Sequence, residues 1–350
     1  MKAWQLHEVG DFRLNQIDLP IISKDEVLVR IRATGICGSD IPRVYETGAH
    51  KMPLVIGHEF SGEVVQTTKV DEKWKDKRVG IFPLIPCKKC SCCKRGQYEM
   101  CSNYDYLGSR SDGGFAEYVK VPVWNLIEIP NTVSFEAAAM LEPLAVSVHA
   151  IRRMTLQKDA TIVVIGQGTI GEMIVMILLG LGYTKVLAIG NKALQKDTLV
   201  KLGLPEEAFC DIRNETASSF CNSKTDGAGA DAVFECVGTN VSVKTSISLA
   251  APGGKICFVG NPYSDMNLMR EEYWKILRRQ MTIFGTWNSS FAGSDVDADD
   301  DWKYVIKLLK DGAIKPELLI SHRYSLEDIA KGFALMHEKK EPYIKVMMVN

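Results

Sequence analysis

The sequence predicts an α/β protein with a β-rich amino-terminal domain and a second domain built on a doubly wound parallel sheet. Three observations predict it. The chain of 350 residues exceeds the roughly 100 to 200 residues that one hydrophobic core usually serves, so two domains are expected. Its texture changes near Thr161, from short alternating runs broken by glycine to continuous apolar runs. A Gly-x-Gly-x-x-Gly turn stands at that change.

Over the first 60 residues, alternation such as Glu26 to Arg32 (EVLVRIR), interrupted by Gly35, Gly38, Gly48 and Gly57, predicts strands and loops. From Thr161 onward the runs TIVVIG, KVLAIG, DAVFECVG, GKICFVG and MTIFGT recur with helix-length segments between them. Parallel strands covered on both faces read this way, so five or six strands are expected between Val146 and Gly285. Met173 to Thr184, the longest uncharged apolar stretch, is far short of the roughly 20 residues that span a bilayer and predicts a buried helix. Asp295 to Asp301 (DVDADDD) reads as an acidic surface stretch. Asp301 to Lys310 has helical spacing through Trp302, Val305, Ile306 and Leu309, and Tyr343 to Val349 reads as a strand. The expected divisions are residues 1–145, 146–285 and 286–350.

Composition excludes several functions. Apolar residues make up 46% and charged residues 24% of the chain, the balance of a folded protein rather than a disordered one. With 42 basic against 43 acidic residues, no global field is available to hold nucleic acid. Met1 to Pro20 carries Glu8, Asp11, Arg13 and Asp18, unlike a secretory signal, so a cytoplasmic, non-membrane protein is expected. Ten cysteines in a reducing compartment point to free thiols or metal ligands rather than disulfides.

Gly166, Gly168 and Gly171, with Thr169 and Ile170 between them, join an apolar strand to a helix. The first glycine permits the tight turn, the second lets a pyrophosphate approach the backbone, and the third lets helix and strand pack closely. A dinucleotide cofactor is therefore expected. An acidic residue normally ends the second strand and binds the ribose of NAD. Here that position reads Gly190, Asn191, Lys192; the missing carboxylate and the added lysine predict NADP in preference to NAD.

Two sets of metal ligands are visible. Cys87, Cys90, Cys93 and Cys101 form C-x2-C-x2-C-x7-C, spacing that closes one loop around a tetrahedral zinc and leaves no open position, so this zinc is structural. Cys92 is left over. The second set is dispersed: Cys37 in GICGSD, His58 and Glu59 in GHEFSG, and Glu142 in LEPL. Ligands of mixed softness with an open position suit a catalytic zinc that acidifies an alcohol and polarises a carbonyl.

GHEFSG, the four-cysteine lobe, GGFAEY at Gly113 to Tyr118, LEPL and GQGTIG occur in one order along the chain. By these motifs it resembles the zinc-containing medium-chain dehydrogenase/reductase (alcohol dehydrogenase) family over essentially its whole length. GAHKMP, LIPCKKC, YDYLGSRSDGGFAEY and WKILRR are most similar to the polyol dehydrogenases, above all the branch acting on galactitol 1-phosphate. The resemblance implies a GroES-like catalytic domain around a Rossmann domain, completed by the carboxyl-terminal segment, and a homodimer or homotetramer. It implies Cys37, His58 and Glu142 as catalytic zinc ligands with Glu59 as an alternative, and Ser39 at the reacting hydroxyl. The histidine through which some relatives relay the proton is replaced by Pro42, so a carboxylate, Glu142 or Glu59, is expected to take that part. Arg43, His50, Lys51 and Arg110 are candidates for a substrate phosphate, and Trp287 for the substrate cleft. The alternatives are a dehydrogenase for a free polyol such as sorbitol, and a binding protein of the same fold without catalysis.

Overall fold

The structure is a computed structural model that describes residues 1–69 and 71–350 in full. The chain divides into two compact units. One comprises Met1–Ala145, Ser289–Gly312 and Ile320–Asn350; the other comprises Val146–Asn288 and Ala313–Leu319.

The first unit is built on a seven-stranded sheet. Along it run Leu126–Glu128, Arg78–Ile81, Glu59–Gln66, Glu26–Gly35, Lys345–Val349 and Ile320–Tyr324, with Tyr118–Pro122 paired to Glu26–Gly35 beside this path. Every pairing is antiparallel except that of Ile320–Tyr324 with Lys345–Val349. Glu26–Gly35 is central, and Val27, Leu28 and Val29 are all buried, because the strand is covered on both faces. Gly35 stands opposite Glu59 on one side and Met347 on the other. The Lys345 side chain of the last strand thus reaches Glu59 past this glycine. Trp4, Phe60, Phe115 and Phe333 belong to the buried core against this sheet.

A second aromatic cluster joins Phe82, Phe291 and Trp302, whose rings lie 5.0 to 5.9 Å apart. It changes the reading of the acidic stretch. Asp295, Asp297 and Asp299 are exposed, but Asp300 and Asp301 are buried. Asp300 caps the helix Asp301–Lys310 through the Lys303 N–H, and Asp301 accepts from the backbone and hydroxyl of Ser290, both at 2.8 Å. These two carboxylates satisfy orphan N–H groups rather than face water.

The second unit holds six parallel strands in the order Phe209–Asp211, Val186–Gly190, Ile162–Ile165, Ala230–Glu235, Ala250–Phe258 and Thr282–Gly285. Five correspond to the apolar runs. The sixth, Phe209–Asp211, is three residues long and carries too little pattern to stand out. The helix after the glycine turn covers Thr169–Gly180 and is buried from Gly171 to Leu178. It stops short of Thr184 because Gly182, at φ +81°, turns the chain out of the helix. Among the described residues no helix is long and apolar enough to cross a membrane.

Candidate functional site

The glycine turn has three distinct geometries. Gly166 adopts φ +90°, open to glycine at little cost. A side chain on Gly171 would begin 1.9 Å from the Gly166 carbonyl oxygen, whereas one on Gly168 would meet nothing within 4 Å. Bare backbone with open space above it, at the start of a twelve-residue helix, fits a pyrophosphate held by N–H groups. At the end of the second strand, Asn191 and Lys192 both donate backbone N–H groups to Gln195 Oε1 at 3.0 Å. Both side chains are exposed. Thr169 and Ile170 form the first turn of the helix.

The sulfur atoms of Cys87, Cys90, Cys93 and Cys101 all lie within 4.8 Å of one another. The Cys87–Cys93 and Cys90–Cys101 separations are 4.0 and 3.9 Å. Four thiolates at the usual zinc–sulfur distance stand about 3.8 Å apart, so the lobe fits a closed tetrahedral site. Backbone N–H groups already point at the sulfurs, from Cys90 to Cys87 and from Cys93 to Cys90. The N–H groups of Cys93 and Ser102 hold the Cys90 thiol well below the usual range. Cys92 stands outside the set, accepting from Arg95 at 3.5 Å.

The dispersed ligands are gathered by glycines. Gly57 precedes His58 at φ +98°, and side chains on Gly108 or Gly113 would begin 2.2 and 2.1 Å from its carbonyl oxygen. Two loops therefore pack backbone to backbone, bringing His58 beside Tyr106 with ring centroids 5.8 Å apart. Ligand atoms of Cys37, His58 and Glu59 come within 4.8 Å of one another. The donor types, thiol, imidazole and carboxylate, fit zinc. Ser39 donates its hydroxyl to Cys37 Sγ at 3.3 Å.

Glu142, second residue of the helix Leu141–Met154, falls outside that trio and accepts from the Tyr106 hydroxyl at 3.2 Å. Burial pushes its carboxyl up to about 7. Glu59 is placed differently. It forms an ion pair with Lys345, and both side chains are buried; Lys345 also donates to the Ile36 carbonyl at 3.0 Å. A side chain on Gly35 would begin 2.3 Å from Glu59 Oε2 and 2.6 Å from Lys345 Cε, so the pair occupies the space that this glycine leaves.

Asp40 is fully buried behind the trio. It accepts from the Cys37 N–H at 3.0 Å and from Arg43 at 2.5 Å, and its Oδ1 lies 3.5 Å from His58 Nδ1. Nδ1 faces Asp40 without a hydrogen bond, which leaves Nε2 as the ring nitrogen open to a metal. Burial disfavours a charged His58, but the charges of Asp40 and Cys37 outweigh it and hold this imidazole well above its ordinary range.

Of the substrate-side residues, Arg43 is tied to Asp40. Arg110 lies 4.7 Å over the Tyr104 ring, and Tyr104 packs edge-on to Tyr106, so Arg110 is linked to the site. His50 and Lys51 are exposed; no hydrogen bond or ion pair ties them to the trio among the described residues. Trp287, 60% exposed, belongs to the second unit. Asp40, Tyr106 and Lys345 were not singled out by motif, because each acts through a tertiary contact.

Two family profiles match the chain: "Alcohol dehydrogenase GroES-like domain" over residues 23–131 and "Zinc-binding dehydrogenase" over residues 169–311. The chain is 32% identical over 328 residues to galactitol 1-phosphate 5-dehydrogenase of Escherichia coli (strain K12), covering 92% of each chain. The crystal structure of galactitol-1-phosphate dehydrogenase from Escherichia coli superposes with a TM-score of 0.90 at 31% identity over the full length of both chains. A zinc-binding dehydrogenase structure from Sinorhizobium meliloti 1021, bound to NADP, superposes with a TM-score of 0.88 at 27% identity, covering 100% of this chain and 99% of that one.

Proposed function

The chain belongs to the zinc-binding alcohol dehydrogenase family, and from that membership we propose that it oxidises a secondary hydroxyl of a polyol phosphate, with NADP as the preferred acceptor. That it is a zinc-dependent, NAD(P)-linked alcohol or polyol dehydrogenase follows from the family; the phosphate, the NADP preference and the residue roles are our reading. The observation that carries it is the convergence of Cys37, His58 and Glu59 within 4.8 Å, with the Ser39 hydroxyl against Cys37.

When bound, zinc supplies an electrophile for the reacting oxygen and the nicotinamide supplies the hydride acceptor. Cys37 and His58 would hold the metal together with a carboxylate. Asp40 orients His58 and the backbone before Cys37. Ser39 receives the substrate hydroxyl and aligns it. Because Glu59 is paired with Lys345, Glu142, which accepts from Tyr106, is the carboxylate that would complete the metal shell or take up the proton passed through Ser39. Pro42 offers no relay in its place. In the second unit Gly166 and Gly168 cradle the pyrophosphate, Gly171 lets helix and strand pack closely, and Lys192 is assigned the 2′-phosphate. Arg110, linked through Tyr104 and Tyr106 to the ligand set, is assigned the substrate phosphate; a guanidinium recognises phosphate bidentately. The ten free cysteines suit the reducing cytoplasm, and we assign the chain to a homodimer or homotetramer on its resemblance to the family.

A panel of polyols and their phosphates, followed by NADPH and NADH absorbance with and without a chelator, tests this. Chelator-sensitive activity confined to phosphorylated substrates supports it. Equal turnover of free sorbitol assigns the free-polyol reading instead.

A further inference from the structure

The ends of the second and third strands of the parallel sheet carry a charge arrangement that the glycine turn does not explain. Ligands of open parallel sheets bind beyond the carboxyl ends of the strands. Gly190, which ends the second strand, is in register with Asp211, which ends the third, and Ile212 donates its backbone N–H to the Gly190 carbonyl at 3.0 Å. The carboxylate missing after Gly190 is therefore present one strand away.

It is already engaged. Arg213 Nε lies 2.9 and 3.1 Å from the two Asp211 carboxylate oxygens, Arg213 Nη2 lies 2.5 Å from Oδ2, and the Arg213 backbone N–H donates to Oδ1 at 3.0 Å. These bonds hold the Asp211 carboxyl down at about 2. Lys196, whose charge reaches the same carboxylate, is itself ion-paired with Glu206 at 2.6 Å. Lys192 stands at the N-cap position of the helix Ala193–Lys201 that carries Lys196, and residues four apart share a helix face. The Arg213 side chain is 57% exposed, so its guanidinium is open to a ligand while it grips Asp211.

We infer that Arg213 selects the cofactor: it withholds Asp211 from a ribose 2′-hydroxyl and, with Lys192, presents a cationic face to an adenosine 2′-phosphate. The inference rests on the proposed NADP preference and names the residue that produces it. A planar guanidinium held by one anion is preorganised for a second, which is why arginine is favoured where phosphate oxygens are met in pairs.

Calorimetric titration of the zinc-replete full chain with 2′,5′-ADP and with 5′-AMP separates the two ideas, since the probes differ only in the 2′-phosphate. Wild type is expected to bind 2′,5′-ADP more tightly. Arg213→Ala is expected to weaken that binding by about 10- to 100-fold and to leave 5′-AMP unchanged or tighter, with Arg213→Lys between the two. A preference that survives Arg213→Ala overturns the assignment to Arg213 and leaves the NADP reading standing. Wild type with no preference overturns both.

Discussion

Lys345 and Glu59 form an ion pair whose side chains are 1% and 2% exposed, 286 residues apart in sequence. The pair backs directly onto the trio of candidate ligands, because Glu59 belongs to both. Burying two charges is costly, and removing one partner leaves the other uncompensated.

Lys345→Met is therefore expected to destabilise the first unit by about 3–5 kcal/mol, read by urea unfolding. Gly35→Ala should act on the same pair by displacing it. Loss below about 1 kcal/mol for Lys345→Met would mean that Glu59 finds another partner.

The cysteine lobe makes a separate prediction. Cys90→Ser should reduce bound zinc from about two to about one per chain and lower the melting temperature, since a closed structural site contributes its binding energy to folding. Metal analysis of the purified variant decides it; two zinc ions retained would remove the lobe as a metal site.

Asp40 and Tyr106 lie against the candidate ligands His58 and Glu142 without joining the trio. Asp40→Asn should weaken zinc binding at the open site by about 10- to 100-fold, the usual consequence of losing the group behind a ligating histidine. Tyr106→Phe, which deletes the 3.2 Å bond to Glu142, should do less. Competition with a chromogenic chelator measures both. A larger effect from Tyr106 would identify Glu142 as a permanent ligand.

Gly168 and Gly171 should respond oppositely to alanine. Gly171→Ala meets the Gly166 carbonyl at 1.9 Å and should lower stability. Gly168→Ala projects into open space and should leave the melting temperature unchanged while weakening dinucleotide binding, measured by quenching of tryptophan fluorescence. Unaltered binding in Gly168→Ala would place the pyrophosphate elsewhere.

Glu172 gives a pH dependence. It is fully buried in the first turn of the same helix, neither carboxylate oxygen has a partner, and burial pushes its pKa from 4.5 up to about 9. The unfolded chain releases this proton first, so between those two values the folded state binds more protons and stability falls as pH rises. Glu172→Met should flatten that fall and raise stability at pH 8 by about 1–3 kcal/mol, as comparison of urea midpoints at pH 6 and pH 8 will test. Parallel curves for variant and wild type would show that Glu172 is ionised in the folded chain.

What was legible in the sequence was local. Five strands of the parallel sheet announce themselves as apolar runs, and the glycine turn and cysteine lobe by fixed spacing, because in each the interacting residues are near neighbours. Phe209–Asp211 was too short to carry a pattern. Met173 to Thr184 kept its apolar character past the point where Gly182 ends the helix, and the acids of DVDADDD concealed the capping role of Asp300 and the buried contacts of Asp301. Asp40 and Tyr106 lay inside quoted motifs, but their partners, His58 and Glu142, are distant in the chain. Lys345 read as one lysine in a terminal strand until register placed it beside Glu59.

That strand has a consequence for synthesis. A nascent chain that has passed residue 142 already contains all the candidate metal ligands and the cysteine lobe, yet the central strand Glu26–Gly35 still has an unpaired edge where Lys345–Val349 belongs. On the ribosome, the charge on Glu59 waits 286 residues for its counterion, so loading of the open metal site is expected to follow synthesis of Lys345–Val349, while the cysteine lobe is free to fill much earlier.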